Sequence, residues 1–368
     1  MTALRVEATH PVFCTIIPPH LLDRLAQSDD EARAGRARRT LERDAAQRIR
    51  RREAALPAAT EPAAEEKPNR TIYDAGKVET LPGTKVRGEG DEAVKDASVN
   101  RAYAGLGSTF ELFLKGFERN SIDGEGLALD ATVHYGQEYN NAFWDGHQMV
   151  FGDGDGEIFN DFTTSLDVIG HELAHGVTQY TANLDYQGQA GALNESVSDV
   201  FGSLVKQYAL GQTAEEADWL IGADLLAGAV EGKALRSMKA PGTAYDDDVL
   251  GKDPQPGSMD GYVDTTEDNG GVHINSGIPN RAFYEIATAI GGKAWERAGQ
   301  IWYDVLTGGK LAKDANFAAF AQLTVAAAQK RYGKDSKELA AVQKGWSEVG
   351  VTPADEAGSP EADTTPCE

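Results

Sequence analysis

His171-Glu172-Leu173-Ala174-His175 is the stretch on which the fold of this chain depends. On a helix, residues four apart lie on one face, so the two imidazoles can meet at one metal ion. Imidazole nitrogen suits zinc, and a catalytic zinc takes three protein ligands and leaves one position for water. The Glu172 carboxylate lies between the histidines, where it can accept a proton from that water. The pattern therefore predicts a helix with two zinc ligands and a general base.

A second helical stretch, from Ala192 to Gly202, can complete this site. Glu195 and Asp199 are one turn apart and share a helix face, opposite the apolar residues of the stretch. Glu195 can supply the third zinc ligand. Asp199 can accept the free N–H of a metal-binding histidine, which fixes the tautomer of the ring. Alone, each acid suits a solvated helix face; the pair after the histidine motif predicts a zinc site with two His and one Glu.

Groups that could stabilise a developing negative charge follow in the chain. Asp268 precedes His273 by five residues in a polar, glycine-rich loop. An acid at this position can keep the imidazole protonated, so that it donates to an oxyanion. Tyr186, eleven residues after His175, offers a second donor. We expect these side chains to face the metal.

The body of the chain divides into a β-rich half and an α-rich half. From residue 70 the sequence has short alternating apolar runs, Leu127–Tyr135 and Gln148–Phe151, which predict strands. Beyond residue 165, apolar residues recur at helical spacing. The predicted helices are 165–180, 192–210, 216–230, 279–290, 294–307 and 315–331. We expect an α+β fold with domains at 70–188 and 189–351 and the histidine helix at the cleft between them.

The first 53 residues form an arm of different composition. Residues 1–60 hold 11 Arg, no Lys and 8 acids, whereas the rest of the chain carries a net charge of −26. A basic arm is attracted to such an acidic body, which would repel nucleic acid. Residues 54–69, rich in Ala, Pro and Glu, predict an exposed linker open to proteolysis. Residues 352–368 predict a disordered acidic tail.

Segments that would direct the chain to a membrane are not recognisable in the sequence. No basic and then apolar segment opens the chain, and no run of 18 apolar residues occurs. We therefore expect no signal peptide and no membrane partner. The location is then either outside the cell, by a signal-independent route, or the cytoplasm, and we expect a monomer.

At these motifs the chain resembles the thermolysin-type neutral zinc metallopeptidases. The matching segments occur in the family's order and span most of residues 70–350. They are Asn140–Gly146, Gly152–Gly156, His171–Tyr186, Gly191–Gly202, Ala234–Met238 and Asp268–Gly277. Ile16–Leu22 and the Arg-rich segment after it are similar to the short propeptide of the protealysin subgroup. The resemblance implies a two-domain thermolysin-like fold and a zinc endopeptidase made as a proenzyme, whose residues 1–53 inhibit it and are removed within 50–70.

The resemblance also assigns roles to single residues. It implies that zinc is bound by His171, His175 and Glu195, and that Glu172 is the general base. Tyr186 and His273 would donate to the oxyanion. The groups that orient these side chains would be Asp268, Asp199 and Asn194. Asn141, the Ala142 backbone and Arg236 would align a peptide substrate along a strand edge. An apolar pocket would take the bulky residue after the cut bond, although Phe162 and Val168 also suit ordinary core. Its residues are Phe159, Phe162, Val168, Ile221 and Leu235.

Calcium is where the sequence departs from the family. Members commonly hold a double calcium site beside the zinc helix, built from carboxylates. Asp167 and Asp218 remain here, but Lys206, Leu220 and Ala223 stand where acids are expected. A lysine ammonium repels Ca²⁺, which prefers about six to eight oxygen ligands. We predict that the double site is absent, and that Gly152–Glu157, which lacks the glycine of an EF-hand loop, is a turn.

The sequence is compatible with two roles for Cys14 and with three activity classes. The Cys14 thiolate could occupy the metal's open position and displace the water, or its side chain could be a small buried apolar group. A zinc aminopeptidase and a catalytically inactive zinc-binding module stay beside the endopeptidase. The first needs acidic groups that capture the substrate's α-amine, for which no motif stands out. The second would be expected to lack a ligand or Glu172, and all of these are present.

Overall fold

The structure, a computed structural model, describes residues 14–53 and 66–353, without the side chains of 51–53. The interpretations of residues 1–13, of most of the linker at 54–69 and of nearly all of the acidic tail lie outside the described residues. Among the described residues, no helix combines the length and the apolar character needed to cross a membrane.

A mixed sheet of five strands organises the first half of the body. Its strands are β1 (Arg70–Asp74), β2 (Thr84–Gly88), β3 (Leu129–Val133), β4 (Ala142–Trp144) and β5 (Gln148–Phe151), in the order β2-β1-β3-β5-β4. β3 pairs in parallel with both of its neighbours, whereas β2 and β4 are antiparallel to theirs. Both sequence-predicted strand runs are confirmed. β4 lies at the edge of the sheet, so one of its sides is free to pair with another chain segment.

Three helices connect this sheet to the rest of the protein: α3 (Ala97–Glu111), α4 (Leu166–Gln179) and α5 (Gly188–Leu210). α4 is the histidine helix, and α5 carries Glu195 and Asp199. Glycine permits the close approach of these two helices, since a Cβ on Gly202 would lie 2.4 Å from the Asp167 carbonyl oxygen. This contact brings the acidic face of α5 against the two histidines.

Helices dominate the second half, so the predicted α+β arrangement is confirmed. They are α6 (Asp268–Asn275), α7 (Gly277–Ile290), α8 (Ala298–Thr307), α9 (Phe317–Tyr332) and α10 (Lys337–Glu348). Two short hairpins precede them: β6 (Leu220–Ile221) with β7 (Arg236–Ser237), and β8 (Asp246–Asp247) with β9 (Gly251–Lys252). The stacked rings of Trp302 and Trp346 lie fully buried at the centre of this half.

The prediction of a helix at 216–230 is wrong. Leu220–Ile221 pairs with β7 there, and a short 3-10 turn follows at Ala223–Leu225. Trp219 and Gly222 have positive φ angles of 58° and 70°, which a helix does not accommodate. The apolar residues of this stretch are buried by tertiary contacts on irregular backbone, so their spacing imitates a helix.

The helices of the described part of the arm are α1 (Pro19–Ala26) and α2 (Glu31–Glu53), preceded by the irregular segment 14–18. α1 buries Leu21, Leu22 and Leu25. The Arg-rich segment of the arm is α2, and it lies on the acidic body. Its ion pairs include Arg33 and Arg36 with Glu157, Arg36 with the buried side chain of Asp155, Arg39 with Glu138, and Arg43 with Glu79. The pairs with an exposed acid, Arg39 with Glu138 and Arg43 with Glu79, contribute at most about 1 kcal/mol each, so they orient the arm more than they hold it.

His134 joins two segments of the β-rich half and gives the fold a measurable pH dependence. Its Nδ1 lies 2.6 Å from Asp153 Oδ1 and its Nε2 lies 2.9 Å from Asp96 Oδ2. The hydrogen bond to Asp153 and that to Asp96 outweigh burial and raise the pKa of His134 from 6.5 to about 9. The folded state therefore binds a proton that the unfolded state has released above pH 6.5.

We expect the free energy of unfolding to fall as the pH rises from 6.5 through about 9, and His134→Gln to remove this part of the decline. Urea unfolding at a series of pH values measures it. His147→Gln, at an exposed histidine, is the matched control and should keep the wild-type profile. Identical pH profiles for the wild type and His134→Gln would show that the two ion pairs contribute nothing.

Candidate active site

α4 and α5 bring three ligand atoms to one point. The Nε2 atoms of His171 and His175, one turn apart on α4, are 3.1 Å from each other. Glu195, on α5, places its two carboxylate oxygens each 3.6 Å from one of these nitrogens. Tetrahedral zinc with bonds of about 2.0–2.1 Å holds its ligand atoms about 3.3 Å apart. The three side chains therefore match the spacing of a zinc site.

Unpaired polar atoms support the same interpretation. Glu195 Oε2 and Glu172 Oε1 are buried and have no hydrogen-bond partner among the described residues. A buried carboxylate oxygen without a partner is unfavourable, and a divalent cation and its water would satisfy both atoms. Four side chains each place one potential ligand atom within 4.8 Å of the others: Cys14, His171, His175 and Glu195.

The rear nitrogens of both histidines have hydrogen-bond partners on α5. His171 Nδ1 lies 2.7 Å from Asp199 Oδ1, and His175 Nδ1 lies 2.8 Å from Asn194 Oδ1. Such partners leave Nε2 free to bind a metal and hold each ring in one orientation. Burial and the neighbouring His171 outweigh Glu195 and lower the pKa of His175 from 6.5 to about 4, so His175 is neutral, as a ligand must be.

Asp199 is the buried centre of a larger network. It accepts two hydrogen bonds of 2.8 Å from the Arg236 guanidinium, and a third of 2.8 Å from Asn280 Nδ2. Burial opposes its ionisation, but Arg236 and His171 hold its pKa well below the usual range. The ionised carboxylate thus connects the candidate ligand His171 to Arg236.

Glu172 lies beside the metal cluster and the edge strand of the sheet. Its Oε2 accepts a hydrogen bond of 3.1 Å from the Trp144 backbone N–H on β4. Burial and the charge of Glu195 raise the pKa of Glu172 well above its ordinary value. The side chain is fully buried, with its second oxygen unpaired, so it suits transfer of a proton.

Asp268, His273 and Tyr186 form a donor group on the other side of the cluster. Asp268 accepts from the His273 backbone N–H at 2.8 Å and lies 2.6 Å from His273 Nδ1. Left-handed backbone at Asn269, Gly270 and Gly271 makes this tight loop possible. Burial lowers the pKa of His273, but the Asp268 and Glu195 carboxylates outweigh it and raise the pKa to about 9. His273 Nε2 lies 3.2 Å from the Tyr186 hydroxyl, so both can donate towards one point.

The predicted pocket residues all lie in the apolar core beside this cluster. Phe159, Phe162, Val168, Ile221 and Leu235 are at most 3% exposed. Val168 is on α4, one turn before Glu172. Leu235 and Ile221 are joined by a backbone hydrogen bond of 3.0 Å. All five belong to one continuous buried apolar core, in which Ile221 pairs with Arg236 between β6 and β7.

The arm enters this cleft. Ile16 N–H donates to the Ala142 carbonyl oxygen on β4 at 3.2 Å, and Arg236 Nη1 donates to the Ile16 carbonyl oxygen at 3.2 Å. Cys14 Sγ lies 2.8 Å from Glu195 Oε1 and 2.9 Å from the Tyr186 hydroxyl. Burial and the charges of Glu195 and Glu172 raise the pKa of the Cys14 thiol. Its side chain is 5% exposed, and its sulfur lies among the proposed ligand atoms.

Comparison with known proteins identifies the family. The thermolysin metallopeptidase catalytic domain matches residues 60–179, and the thermolysin metallopeptidase alpha-helical domain matches residues 182–351. The chain is 53% identical to an extracellular metalloprotease of Pectobacterium carotovorum subsp. carotovorum, over 92% of this chain and 96% of that one. It belongs to the thermolysin family of metalloproteases.

Further comparisons agree with this assignment. Protease PrtS of Photorhabdus sp. is 55% identical over 77% of this chain and 76% of that protein. The precursor of protealysin, a metalloproteinase from Serratia proteamaculans, superposes with a TM-score of 0.85 and 54% identity, covering 92% of this chain and all of that one. The predicted thermolysin-like fold, the relation to protealysin and the metalloprotease class are confirmed.

The region where thermolysin-type proteases were expected to hold calcium contains an ammonium group in this member. Lys206 Nζ lies 3.1 Å from Asp167 Oδ2 and 2.8 Å from Asp218 Oδ2. Burial lowers the pKa of Lys206, but the two carboxylates outweigh it and raise the pKa above 10.5. A permanent positive charge thus lies between the two remaining acids of the region.

One buried acid of the arm contacts this site although no sequence motif indicates it. Asp44, on α2, is 4% exposed and accepts a 2.9 Å hydrogen bond from Asn141 Nδ2 and another from the Tyr139 hydroxyl. Burial outweighs these bonds and raises the pKa of Asp44 to about 7. An acid in an Arg-rich helix gives no sign of this role, because the contact depends on how the arm docks.

Proposed function

We propose that this metalloprotease is the precursor of a zinc endopeptidase that cuts internal peptide bonds before bulky apolar residues. The convergence of His171, His175 and Glu195 on one point, beside the unpaired oxygen of Glu172, carries the proposal. His and Glu form a donor set that zinc prefers, and three ligands leave a position for reaction. No side chain that this chemistry requires is missing.

Zinc held by His171, His175 and Glu195 would acidify a water molecule and polarise the scissile carbonyl. Glu172 takes the proton of the attacking water and passes it to the leaving amide nitrogen. Its raised pKa favours holding this proton between the two transfers. Asp268 keeps His273 protonated, and His273 and Tyr186 donate hydrogen bonds to the oxyanion of the tetrahedral intermediate.

Substrate alignment follows from the contacts that the arm already makes. The Ala142 carbonyl and the Asn141 side chain present an acceptor and an amide at the edge of the sheet, where a peptide can add as a strand. Arg236, fixed by Asp199, donates to the carbonyl of the residue that enters the apolar pocket. The pocket residues then favour a bulky apolar side chain directly after the cut bond.

A test follows from incubating the matured chain with two pools of apolar peptides, one blocked at both ends and one with free amines. We expect cuts within blocked peptides, before Ile, Leu, Val or Phe, as mapped by mass spectrometry. Cutting of free-amine peptides alone would establish the aminopeptidase alternative. No cutting of either pool by a zinc-loaded chain would establish the inactive binding module.

Cys14 supplies the fourth zinc ligand of the uncleaved chain in this proposal, and residues 1–53 act as its inhibitor. Sulfur suits zinc, and the Cys14 sulfur lies beside the other three ligands. The arm also occupies the Ala142 and Arg236 contacts that a substrate needs. Removal of the arm within 50–70 would free the ligand position and the substrate edge together.

We expect the protease to act outside the cell. The relative from Pectobacterium is named extracellular, which favours action outside the cell over the cytoplasmic alternative. Comparison of the protein in culture supernatant and cell extract, with a cytoplasmic enzyme as a marker of lysis, distinguishes the two locations.

Because Lys206 stands where a calcium ligand is expected, we predict that the stability of the chain does not depend on calcium. A calcium-selective chelator should leave the Tm of the zinc-loaded chain unchanged, because an ammonium already neutralises Asp167 and Asp218. Lys206→Ala should lower the free energy of unfolding by about 1–3 kcal/mol, since it leaves the buried Asp167 carboxylate without this partner. Thermal unfolding checks both, with Lys115→Ala, in an exposed pair with Glu111, as the control. A chelator-induced fall in Tm that Ca²⁺ reverses would contradict the predicted absence of the double site.

A further inference from the structure

The arm makes its contacts with the cleft through its backbone at two consecutive residues. Besides the two Ile16 contacts, Ile17 N–H donates to Asn141 Oδ1 at 2.9 Å, and Asn141 Nδ2 lies 3.5 Å from the Ile17 carbonyl oxygen. The N–H and C=O of both residues therefore have partners. Any peptide offers these groups, so this edge recognises an extended chain irrespective of its side chains.

The order of the contacts gives the arm a direction. Cys14 lies at the metal cluster, and Ile16 and Ile17 follow along Ala142 and Asn141. Ile16 is fully buried in the same continuous apolar core as Phe159 and Leu235. Under the proposed function, the residue with its carbonyl on Arg236 is the one after the cut bond. Ile16 has this contact, so the bond in register for cutting joins Thr15 and Ile16.

The Cys14 sulfur stands where the Thr15 carbonyl would have to react. The Thr15 carbonyl oxygen lies 3.6 Å from Cys14 Sγ, and the sulfur lies 2.8 Å from the ligand oxygen of Glu195. The Tyr186 hydroxyl donates to the same sulfur at 2.9 Å. The Cys14 side chain therefore lies against a proposed zinc ligand, Glu195, and an oxyanion donor, Tyr186, where the Thr15 carbonyl would have to lie for reaction.

We propose that the arm is a substrate bound in the productive direction, with Thr15–Ile16 as its cleavable bond, and that Cys14 protects this bond. This proposal rests on the proposed function and specifies which bond of the inhibitory arm lies in the position of the cut bond. Hydrolysis would add the hydroxyl of a water to the Thr15 carbonyl carbon and break the C–N bond. Glu172 would carry the water's proton to the Ile16 nitrogen, leaving a carboxylic acid on Thr15 and an amine on Ile16, and the acid would then pass its proton to the amine.

Cys14→Ala in the full chain tests the proposal. We expect a new N-terminus at Ile16 and a released fragment that ends at Thr15, both detected by mass spectrometry. Cys367→Ala, the same change at the other cysteine, is the matched control and should leave this bond intact. Cys14→Ala combined with Glu172→Gln should also leave it intact, which shows that the chain's own catalysis makes the cut.

Isolated peptides keep the test independent of the folding of the variant. A blocked peptide of residues 12–22 that carries Cys14→Ala should be cut between Thr15 and Ile16 by the matured chain, whereas the wild-type peptide should inhibit it uncut. Calorimetry on the matured Glu172→Gln chain supplies a readout without catalysis. Removing zinc should weaken binding of the wild-type peptide by roughly 10- to 100-fold, which is the effect of losing one contact with a charged partner. It should weaken binding of the Cys14→Ala peptide much less.

The outcomes separate this proposal from the proposed function. An intact Thr15–Ile16 bond in both the Cys14→Ala chain and the Cys14→Ala peptide overturns the proposal, and so does cutting at a different bond of this segment. If the matured chain still cleaves blocked peptides, the endopeptidase function stands and only the assignment of Thr15–Ile16 as the cleavable bond is refuted. If it cleaves none, the proposed function itself has failed.

Discussion

Glu172→Gln should lower the kcat/KM of the matured chain on a blocked peptide by about 10²- to 10⁴-fold, the usual contribution of a general acid–base group. The amide has nearly the shape of the carboxylate and can still accept from the Trp144 N–H, but it cannot take a proton from water. Initial rates measure the loss, and metal analysis of the same sample should show one zinc per chain, as in the wild type.

Glu111→Gln makes the same chemical change on α3, in an exposed pair with Lys115, and should keep the wild-type rate. The comparison thereby separates the position of Glu172 from the general effect of removing a negative charge from an acidic protein. A Glu172→Gln chain that retains full zinc and full activity would refute the assignment of Glu172 as the base.

Asp199→Ala should lower the free energy of unfolding by about 3–5 kcal/mol, the usual effect of removing one partner of a buried ion pair. Arg236 is 2% exposed, and its guanidinium would lose both of its hydrogen bonds to the carboxylate. His171 would lose its rear partner as well, so zinc affinity should fall by about 10- to 100-fold.

Urea unfolding at a fixed free zinc concentration measures the stability loss, and competition with a chelator measures the affinity. Asp304→Ala is the matched control, because Asp304 also pairs with an arginine, Arg331, but at a surface where both are more than a third exposed. This control should lose less than about 1 kcal/mol. Equal losses in the two variants would mean that the network around Asp199 has no special importance.

Local spacing explains why the metal cluster could be predicted from the sequence. The separations of His171 from His175 and of Glu195 from Asp199 are one helical turn each, and helical geometry converts such spacing directly into a shared face. The resemblance to a family then supplied Arg236, Asn141 and the pocket residues, which no local pattern connects. The sequence also indicated that Lys206 occupies a position of the calcium region, because a charge of the wrong sign is visible without coordinates.

What could not be predicted depends on contacts between distant segments. The stretch 216–230 has helical spacing, but its apolar residues are buried by surrounding elements, and positive φ angles at Trp219 and Gly222 exclude a helix. Asp44 became relevant only through its contact with Asn141, 97 residues away. For Cys14 the sequence left two interpretations; the structure places its sulfur beside Glu195 and Tyr186, which the buried apolar group alone would not require.

The most direct test of the proposal that the arm inhibits this metalloprotease through Cys14 is the zinc-edge X-ray absorption spectrum of the uncleaved chain. We expect one sulfur neighbour at about 2.3 Å beside nitrogen and oxygen neighbours at about 2.0–2.2 Å. The sulfur signal should disappear in Cys14→Ala and after removal of the arm. A spectrum of the intact, zinc-loaded precursor without sulfur, and identical to that of the matured chain, would refute inhibition through Cys14.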